Sequence, residues 1–268
     1  MMLLNLEVAD VTRSLQSQNG LRHGDYNRYR RFCTRKLHRM KAALGIPSGR
    51  HRYKSVPIPD AINSAKFVEL LLVQSERSWA YGITLKSEYA LGEAKAPGRI
   101  RHRYVHKYHR AAHWSGKLVE LATRTCDART VREAEAYHAW MSGLALTESG
   151  QYGKAIEQIE ASIEKYTRLV QDSLDVVFPG ASKAYRHRMT DLEPLLRICK
   201  YKLRVGDITA AEPISPKSVA DFESAHDSIS EAGEVDFSSD EVSCSDEEMR
   251  PKPKTTVLGA LGGWWNKA

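Results

Sequence analysis

One stretch near the start of the chain constrains the fold more than any other, because it joins helical periodicity to strongly unbalanced charge. Residues 21–45 read LRHGDYNRYRRFCTRKLHRMKAALG and contain eight Arg and Lys residues against one acid, Asp25. Asp is favourable immediately before a helix, and Gly45 followed by Pro47 is typical of a helix end. The stretch therefore predicts one helix over residues 25–44 whose charge is not balanced by its own sequence.

The two sides of this predicted helix differ in chemistry. At roughly 100° per residue its apolar residues fall within a sector of about 80°, and four arginines fall within a similar sector on nearly the opposite side. We expect the apolar side to pack on a helical domain and the arginines to face outward. The apolar set is Tyr26, Tyr29, Cys33, Leu37, Met40 and Leu44. The outward set, named the arginine stripe, is Arg28, Arg31, Arg35 and Arg39, flanked by Arg30, Lys36 and Lys41.

The arginine stripe favours binding to RNA phosphates. A guanidinium group is a planar fork that matches phosphate oxygens, and no acid four residues away relieves the repulsion within the stripe. Phe32 lies among the arginines, where we expect no core position, and its ring could stack on an unpaired base. Because A-form RNA hides its bases in a deep, narrow groove, the helix suits a bulge, loop or junction. A solvated face, an acidic protein or a membrane surface are the alternatives for this charge.

Two further basic clusters are predicted to contact RNA. Residues 98–114, GRIRHRYVHKYHRAAHW, are expected to form a phosphate-facing helix. Their histidines, His102, His106, His109 and His113, have a spacing that could bind a metal, but the adjacent cations argue against it. We therefore predict no metal and no cofactor. The basic residues are Arg99, Arg101, Arg103, Lys107 and Arg110 in this segment, and Arg50, Arg52 and Lys54 in the loop GRHRYKS.

The chain up to residue 206 reads as an all-α domain. Asp60 is expected to cap a long buried helix, and Pro194 to kink or split the last helix. Apolar periodicity predicts the other helices over residues 4–18, 99–124, 130–147, 151–170 and 181–204.

A helical hairpin around Gly150 resembles part of the tetratricopeptide pattern. The segment WMSGLALTESGQYGKAIEQIEASIEKY has Gly143 at the small position of its first helix. Because the repeat is single and partial, it predicts tetratricopeptide-like hairpins and not a full solenoid. The turn is assigned to Gly150 and Tyr152, and the packing positions of the second helix to Ala155, Ile159 and Ser162.

The composition changes after residue 206. Residues 206–249 carry a net charge of −12, whereas residues 13–54 carry +11, which suggests a polyanion-binding face and a separate acidic tail. We predict a helical RNA-binding domain over 1–206, a disordered acidic linker over 207–254 and an apolar tail peptide over 255–268.

General features of the sequence point to an intracellular protein that is not an enzyme. It has no run of 18 apolar residues, no basic segment typical of a signal peptide, and no cysteine pair with zinc-ligand spacing. It also has no Walker, GxSxG or HExxH motif. We therefore expect a reduced, cytoplasmic, non-catalytic binding protein.

The motif LRHGDYNRYRRFCTRKLHRM resembles the RNA-binding domain of the 68-kilodalton subunit of the eukaryotic signal recognition particle. The likeness continues through LLLVQSERSWAYGITLK, EAEAYHAWMSGLALTESGQYGKAIEQ and RICKYKLRVGD, and so covers about residues 1–206. It implies an all-helical, tetratricopeptide-like domain. It also implies binding to the particle's own 7S RNA near the junction of its Alu and S domains, where the arginine-rich helix enters and remodels the RNA groove.

The resemblance also implies site residues and partners. The segment that docks the 72-kilodalton subunit lies towards the C terminus in that family, and most of that half has no counterpart here. The likeness therefore implies RNA binding and contacts with other particle proteins more directly than pairing with that subunit. It implies a cytoplasmic protein with a nucleolar assembly stage. By matching position, the RNA-binding role falls to Arg22, Arg28, Arg30, Arg31, Arg35, Lys36 and Arg39, preceded by a loop of His23, Gly24 and Asp25.

A second hypothesis is a protein-interaction adaptor. The helical hairpin over residues 133–170 and the acidic tail are both features that bind proteins. The two functions are compatible, since the tail could bind a protein while the arginine stripe binds RNA.

Overall fold

The helical periodicity of the sequence is realised along most of the chain. The computed structural model describes residues 4–46, 64–92, 97–174 and 179–205. Within these ranges the chain forms seven α-helices and one short 3-10 turn, and its only β-type pairing is an isolated bridge between Leu4 and Cys126. The helices are α1 (Val8–Gln18), α2 (Tyr26–Ala43), α3 (Ala65–Ala90), α4 (Pro97–Thr125), α5 (Ala128–Glu148), α6 (Tyr152–Leu174) and α7 (Pro179–Val205), and the 3-10 turn is Leu21–His23.

The helices stack in chain order. Helix α2 packs on α3, and each helix from α3 to α6 packs on the next one. Helix α1 instead contacts α3, α5 and α7, so it lies along the side of the stack that these alternate helices form. All described residues belong to one compact unit, which comprises residues 1–48 and 56–214. The predicted all-α, tetratricopeptide-like fold is confirmed.

The hairpin of α5 and α6 shows why the tetratricopeptide pattern needs a small residue in its first helix. A Cβ on Gly143 would lie 2.7 Å from Ile159 Cγ1, so only glycine lets the two helices approach this closely. Ala155 and Ile159 are fully buried, and Ser162 Oγ donates to the Ala136 carbonyl oxygen at 2.8 Å. The assignment of these residues to packing positions is therefore confirmed.

Two predictions about the helices were wrong, and a third was right in at most one of its alternatives. Helix α1 begins at Val8 and not at residue 4, because the Leu4 backbone N–H donates to the Thr125 carbonyl oxygen at 2.9 Å. Helix α3 is capped by Ser64, whose hydroxyl accepts from the Lys66 N–H, and not by Asp60. Of the two outcomes predicted for Pro194, the split does not occur, because helix α7 runs through this residue, and the kink stays a prediction.

Several predictions fall on residues outside the described ranges. These are the loop with Arg50, Arg52 and Lys54, the acidic linker over 207–254 and the apolar tail over 255–268. In the described part of the chain, no helix combines the length and apolarity needed to cross a bilayer.

Candidate nucleic-acid interface

The turn before α2 fixes where the arginine-rich helix begins. Gly20 has a φ of +115°, and a Cβ there would lie 2.9 Å from the Asp25 carbonyl oxygen, so the turn requires glycine. Asp25 caps α2 as predicted, because its carboxylate Oδ1 accepts from the Arg28 N–H at 2.8 Å. Arg22 and His23 are exposed in the short 3-10 turn, which sets them beside the first turn of α2.

The inner face of α2 packs as its periodicity predicts. Tyr29, Cys33, Leu37 and Met40 are buried, and the Tyr29 ring meets the edge of Trp79 with ring centroids 6.5 Å apart. Burial raises the pKa of Cys33 to about 12, so this residue is a packed, unreactive thiol. The inner face therefore fixes the rotation of α2 about its own axis.

A buried carboxylate that the sequence analysis missed anchors α2 to the rest of the fold. Glu76 of α3 is fully buried, and its Oε2 accepts from the Tyr29 hydroxyl at 2.7 Å and from Gln16 Nε2 at 2.8 Å. Its Oε1 accepts from the Tyr137 hydroxyl at 2.7 Å. One side chain thus joins α1, α2, α3 and α5. The available signal was an acid inside the apolar run LLLVQSERSWA.

The arginine stripe is exposed along its whole length. Arg28, Arg31, Arg35 and Arg39 all face solvent. Within the described ranges, none of the four forms an ion pair with a carboxylate. A shallow depression at the start of the stripe is lined by Asp25, Asn27, Arg28, Arg31 and Arg35. The stripe therefore presents a row of guanidinium groups whose charge the described residues leave unneutralised.

The residues flanking the stripe have protein partners. Lys36 Nζ lies 2.6 Å from Glu69 Oε1 of α3, so part of its charge is balanced within the fold. The Arg30 guanidinium donates to Asn27 Oδ1 through Nε at 3.2 Å and through Nη2 at 3.0 Å. The expectation that Phe32 has no core position was wrong, because its half-buried ring packs against the core and stacks on Tyr29 at 6.4 Å.

The predicted basic residues of α4 differ in exposure. Arg99 and Arg103 are exposed, whereas Arg101, Lys107 and Arg110 are half-buried. The opposite face of α4 packs on the fold, with Ile100 lying against the core as a partly buried residue. Its buried members are Tyr104, Tyr108, Ala111, Ser115 and Leu118.

Tyr81 of α3 joins the basic residues of α4 to α2. The Arg103 Nη2 group donates to the Tyr81 hydroxyl at 3.1 Å, and Lys107 Nζ lies 4.9 Å from the centre of the Tyr81 ring. The Arg30 guanidinium carbon lies 4.7 Å from the same centre. Arg30 of α2 and two basic residues of α4, Arg103 and Lys107, thus meet at one side chain, although sequence reasoning treated the two helices as separate clusters.

Two of the α4 histidines, His106 and His109, show the signs of packing residues. Burial lowers the pKa of His106 to about 4, so its imidazole is neutral at physiological pH. Burial also lowers the pKa of His109, whose Nε2 lies 2.7 Å from Ser149 Oγ. No group of three or more metal-ligating side chains converges in the described ranges.

Comparison with known proteins shows what the chain is similar to. A model of the family described as RNA-binding signal recognition particle 68 matches residues 21–254. The chain is 32% identical over 212 residues to the signal recognition particle subunit SRP68 of Drosophila melanogaster. The aligned region covers 76% of this chain and 33% of that protein. The chain is 28% identical over 207 residues to the subunit of the same name in Dictyostelium discoideum. The aligned region covers 75% of this chain and 32% of that protein.

A solved structure supports the fold. The structure of the SRP68 RBD from Chaetomium thermophilum matches with a TM-score of 0.61 at 20% identity, and covers 75% of this chain and 100% of that chain. The chain spans about a third of the length of the curated relatives that it matches.

Proposed function

The chain belongs to the RNA-binding signal recognition particle 68 family, and on that premise we propose that it binds the RNA of the signal recognition particle without catalysing a reaction. It acts as a structural component that helps to assemble the particle for co-translational targeting of proteins to the endoplasmic reticulum membrane. The proposal places it in the cytoplasm, with an assembly stage in the nucleolus, in contact with other proteins of the particle.

The observation that carries this proposal is the exposed arginine stripe of α2. Its four guanidinium groups face solvent, and within the described ranges no carboxylate pairs with them. Like charges on one helix face repel each other, and RNA phosphates relieve that repulsion while releasing counterions. The buried inner face holds the stripe in one orientation, so binding needs little further ordering of the helix.

The shape of the stripe favours a disrupted RNA helix. Side chains cannot read the deep, narrow major groove of A-form RNA, whereas a junction or bulge opens it. We therefore expect α2 to bind at the junction of the particle RNA. The RNA-binding set is proposed to include Arg22, His23, Phe32 and Lys36 beside the stripe, with Phe32 contributing only the exposed part of its ring.

A salt titration of RNA binding tests the proposal. The particle RNA is transcribed in vitro and its affinity for the full chain is measured between low and moderate salt. We expect Arg31→Gln with Arg35→Gln to weaken binding strongly and to lower the log–log salt slope by roughly 0.7 to 0.9 for each phosphate that is no longer neutralised. A salt-independent affinity of the unmodified chain contradicts the proposal.

The matched control removes the same charge elsewhere. Arg186 and Arg197 are exposed arginines of α7, so Arg186→Gln with Arg197→Gln changes the net charge equally. We expect that variant to keep nearly the full affinity and slope. If it weakens binding as much as the stripe variant does, binding is non-specific charge attraction. Circular dichroism of both variants checks the helical content.

A second candidate function, a protein-interaction adaptor, is favoured by the exposed apolar end of α7. Ile198, Tyr201 and Leu203 are 42%, 62% and 50% exposed, although apolar residues of this size usually pack in a stack of helices. If this end binds a particle protein, Tyr201→Ser with Leu203→Ser should weaken that interaction after RNase treatment while RNA affinity stays unchanged. An unchanged interaction with the protein removes this candidate.

A further inference from the structure

Tyr81 is the meeting point of cations from two helices. Its ring centre lies 4.7 Å from the Arg30 guanidinium carbon of α2 and 4.9 Å from Lys107 Nζ of α4. Its hydroxyl accepts from Arg103 Nη2 at 3.1 Å. Tyr81 is half-buried on α3 between these helices. We call this arrangement of four side chains the Tyr81 cluster.

The charge in this cluster is poorly balanced by the fold. Within the described ranges, none of Arg30, Arg103 and Lys107 forms an ion pair with a carboxylate. Burial, and then the fields of nearby cations, lowers the pKa of Lys107 to about 8. The charged groups that act on Lys107 are Arg30 of α2, Arg77 of α3, and Arg103 and Arg110 of α4.

The ring of Tyr81 attracts the cations but cannot neutralise them. A tyrosine face offers only a quadrupole, and its hydroxyl is a neutral acceptor for Arg103. A phosphodiester group carries a full negative charge and several acceptor oxygens, so it can take an arginine fork and a lysine ammonium together. The cluster thus combines the arginine and lysine groups of a phosphate-binding site with an aromatic ring that contacts them.

We propose that the Tyr81 cluster is a second seat for a backbone phosphate of the bound RNA, distinct from the arginine stripe. The inference rests on the proposed RNA-binding function and adds a defined contact to it. Arg30 belongs to α2, the helix that carries the stripe, so an RNA strand on the stripe can continue onto α4 across Tyr81. The cluster would therefore fix the direction in which the RNA leaves α2.

Filling this seat has a consequence for pH. In the absence of RNA, Lys107 loses its proton as pH rises through about 8. A bound phosphate favours the charged ammonium and raises the pKa of Lys107, so RNA binding takes up a proton above that pH. His106, whose pKa is about 4, contributes no titration in this range. RNA affinity should therefore be constant below about pH 7.5 and fall as pH rises above it.

Single substitutions in the full chain test the seat. We expect Tyr81→Leu and Lys107→Gln each to weaken binding of the particle RNA several-fold. Only Lys107→Gln, which removes a charge, should also lower the salt slope, by roughly 0.7 to 0.9. Lys107→Gln should also remove the fall of affinity above about pH 7.5. Lys107→Arg keeps the charge without the titration, so it should keep the salt slope and abolish only the pH dependence.

Lys117 provides a matched control on the same helix. Its Nζ lies 5.1 Å from the ring centre of Trp114, so Lys117→Gln removes the same kind of cation–π contact roughly 15 Å further along α4. We expect this variant to bind RNA as the unmodified chain does. If Lys107→Gln and Tyr81→Leu bind like Lys117→Gln, the seat does not exist.

The outcomes separate the seat from the proposed function. If the arginine-stripe variant loses RNA while the Tyr81-cluster variants do not, the seat fails and the function stands. If the unmodified chain shows no salt-dependent RNA binding, the function itself fails. Inorganic phosphate, titrated at constant ionic strength, tests a small-anion site. The assignment to RNA is overturned if inorganic phosphate binds saturably and Lys107→Gln removes that binding while leaving RNA affinity unchanged. Lys107→Arg keeps the test valid if Lys107→Gln does not fold.

Discussion

The buried Glu76 carboxylate gives a quantitative prediction about how α2 is held. It accepts from Tyr29 and Tyr137 at 2.7 Å each and from Gln16 at 2.8 Å. A hydrogen bond to a charged group contributes about 1.5–3 kcal/mol, so Tyr29→Phe should lower the free energy of unfolding by about 2 kcal/mol. Tyr137→Phe should cost a similar amount. Glu76→Leu alone should cost more, roughly 3–5 kcal/mol, because it leaves two buried hydroxyl donors without their acceptor.

The decisive variant removes the carboxylate and both hydroxyls together. The triple variant leaves neither buried tyrosine hydroxyl without its acceptor, so Tyr29→Phe/Glu76→Leu/Tyr137→Phe should cost less than Glu76→Leu alone. Urea unfolding followed by circular dichroism gives the free energy and the m-value of each variant. If the triple variant is as unstable as the sum of the single changes, the stability does not come from this network and the reasoning is refuted.

Three further predictions concern stability and are measured by the same unfolding assay. Asp25→Ala should cost about 1 kcal/mol by removing the cap of α2, as should Asp127→Ala at the cap of α5, and only the first should weaken RNA binding. Gly143→Ala should cost about 1–3 kcal/mol, because the new Cβ overlaps Ile159, and an unchanged midpoint would contradict the packing described for α5 and α6. Burial lowers the pKa of His106 from 6.5 to about 4, so the unfolded chain binds a proton that the folded chain rejects, and stability is lost as pH falls between these values. His106→Gln should make that loss shallower, and identical pH profiles would refute it.

The sequence predicts the faces of α2 well because they depend on local periodicity. Of the six residues placed inside, four are buried and two, Tyr26 and Leu44, are half-buried, while the four arginines placed outside are exposed. The helical hairpin is predicted for the same reason, since Gly143 and Ile159 belong to one short motif. The family match confirms the resemblance drawn from the motif of residues 21–45.

The long-range contacts of the interface are beyond such reasoning. Glu76 lies in an apolar segment, and its role depends on Tyr29, which is 47 positions earlier, and on Tyr137, which is 61 positions later. Tyr81 meets its cations only when α2 and α4 are brought to α3. The angular position of Phe32 on the helix predicts a surface residue, but its ring stacks on the neighbouring Tyr29 and packs against the core. Periodicity describes one helix, whereas these contacts require the packing of several.

The hydrogen bonds between the start of the described chain and α5 also determine the order in which parts of the fold can form during synthesis. Leu6 is hydrogen bonded to Thr130, a residue 124 positions later, and Ala9 is hydrogen bonded to Glu133 over the same separation. A chain is made from its N terminus, and contacts of this span form only after the distant partner has been made. The arginines of α2 are therefore translated well before α3 and α5 exist to orient them. We expect the nascent chain to pass through a stage in which this cationic segment has left the ribosome but is not yet held in place. The arginine stripe should reach its final orientation only once α5 has followed.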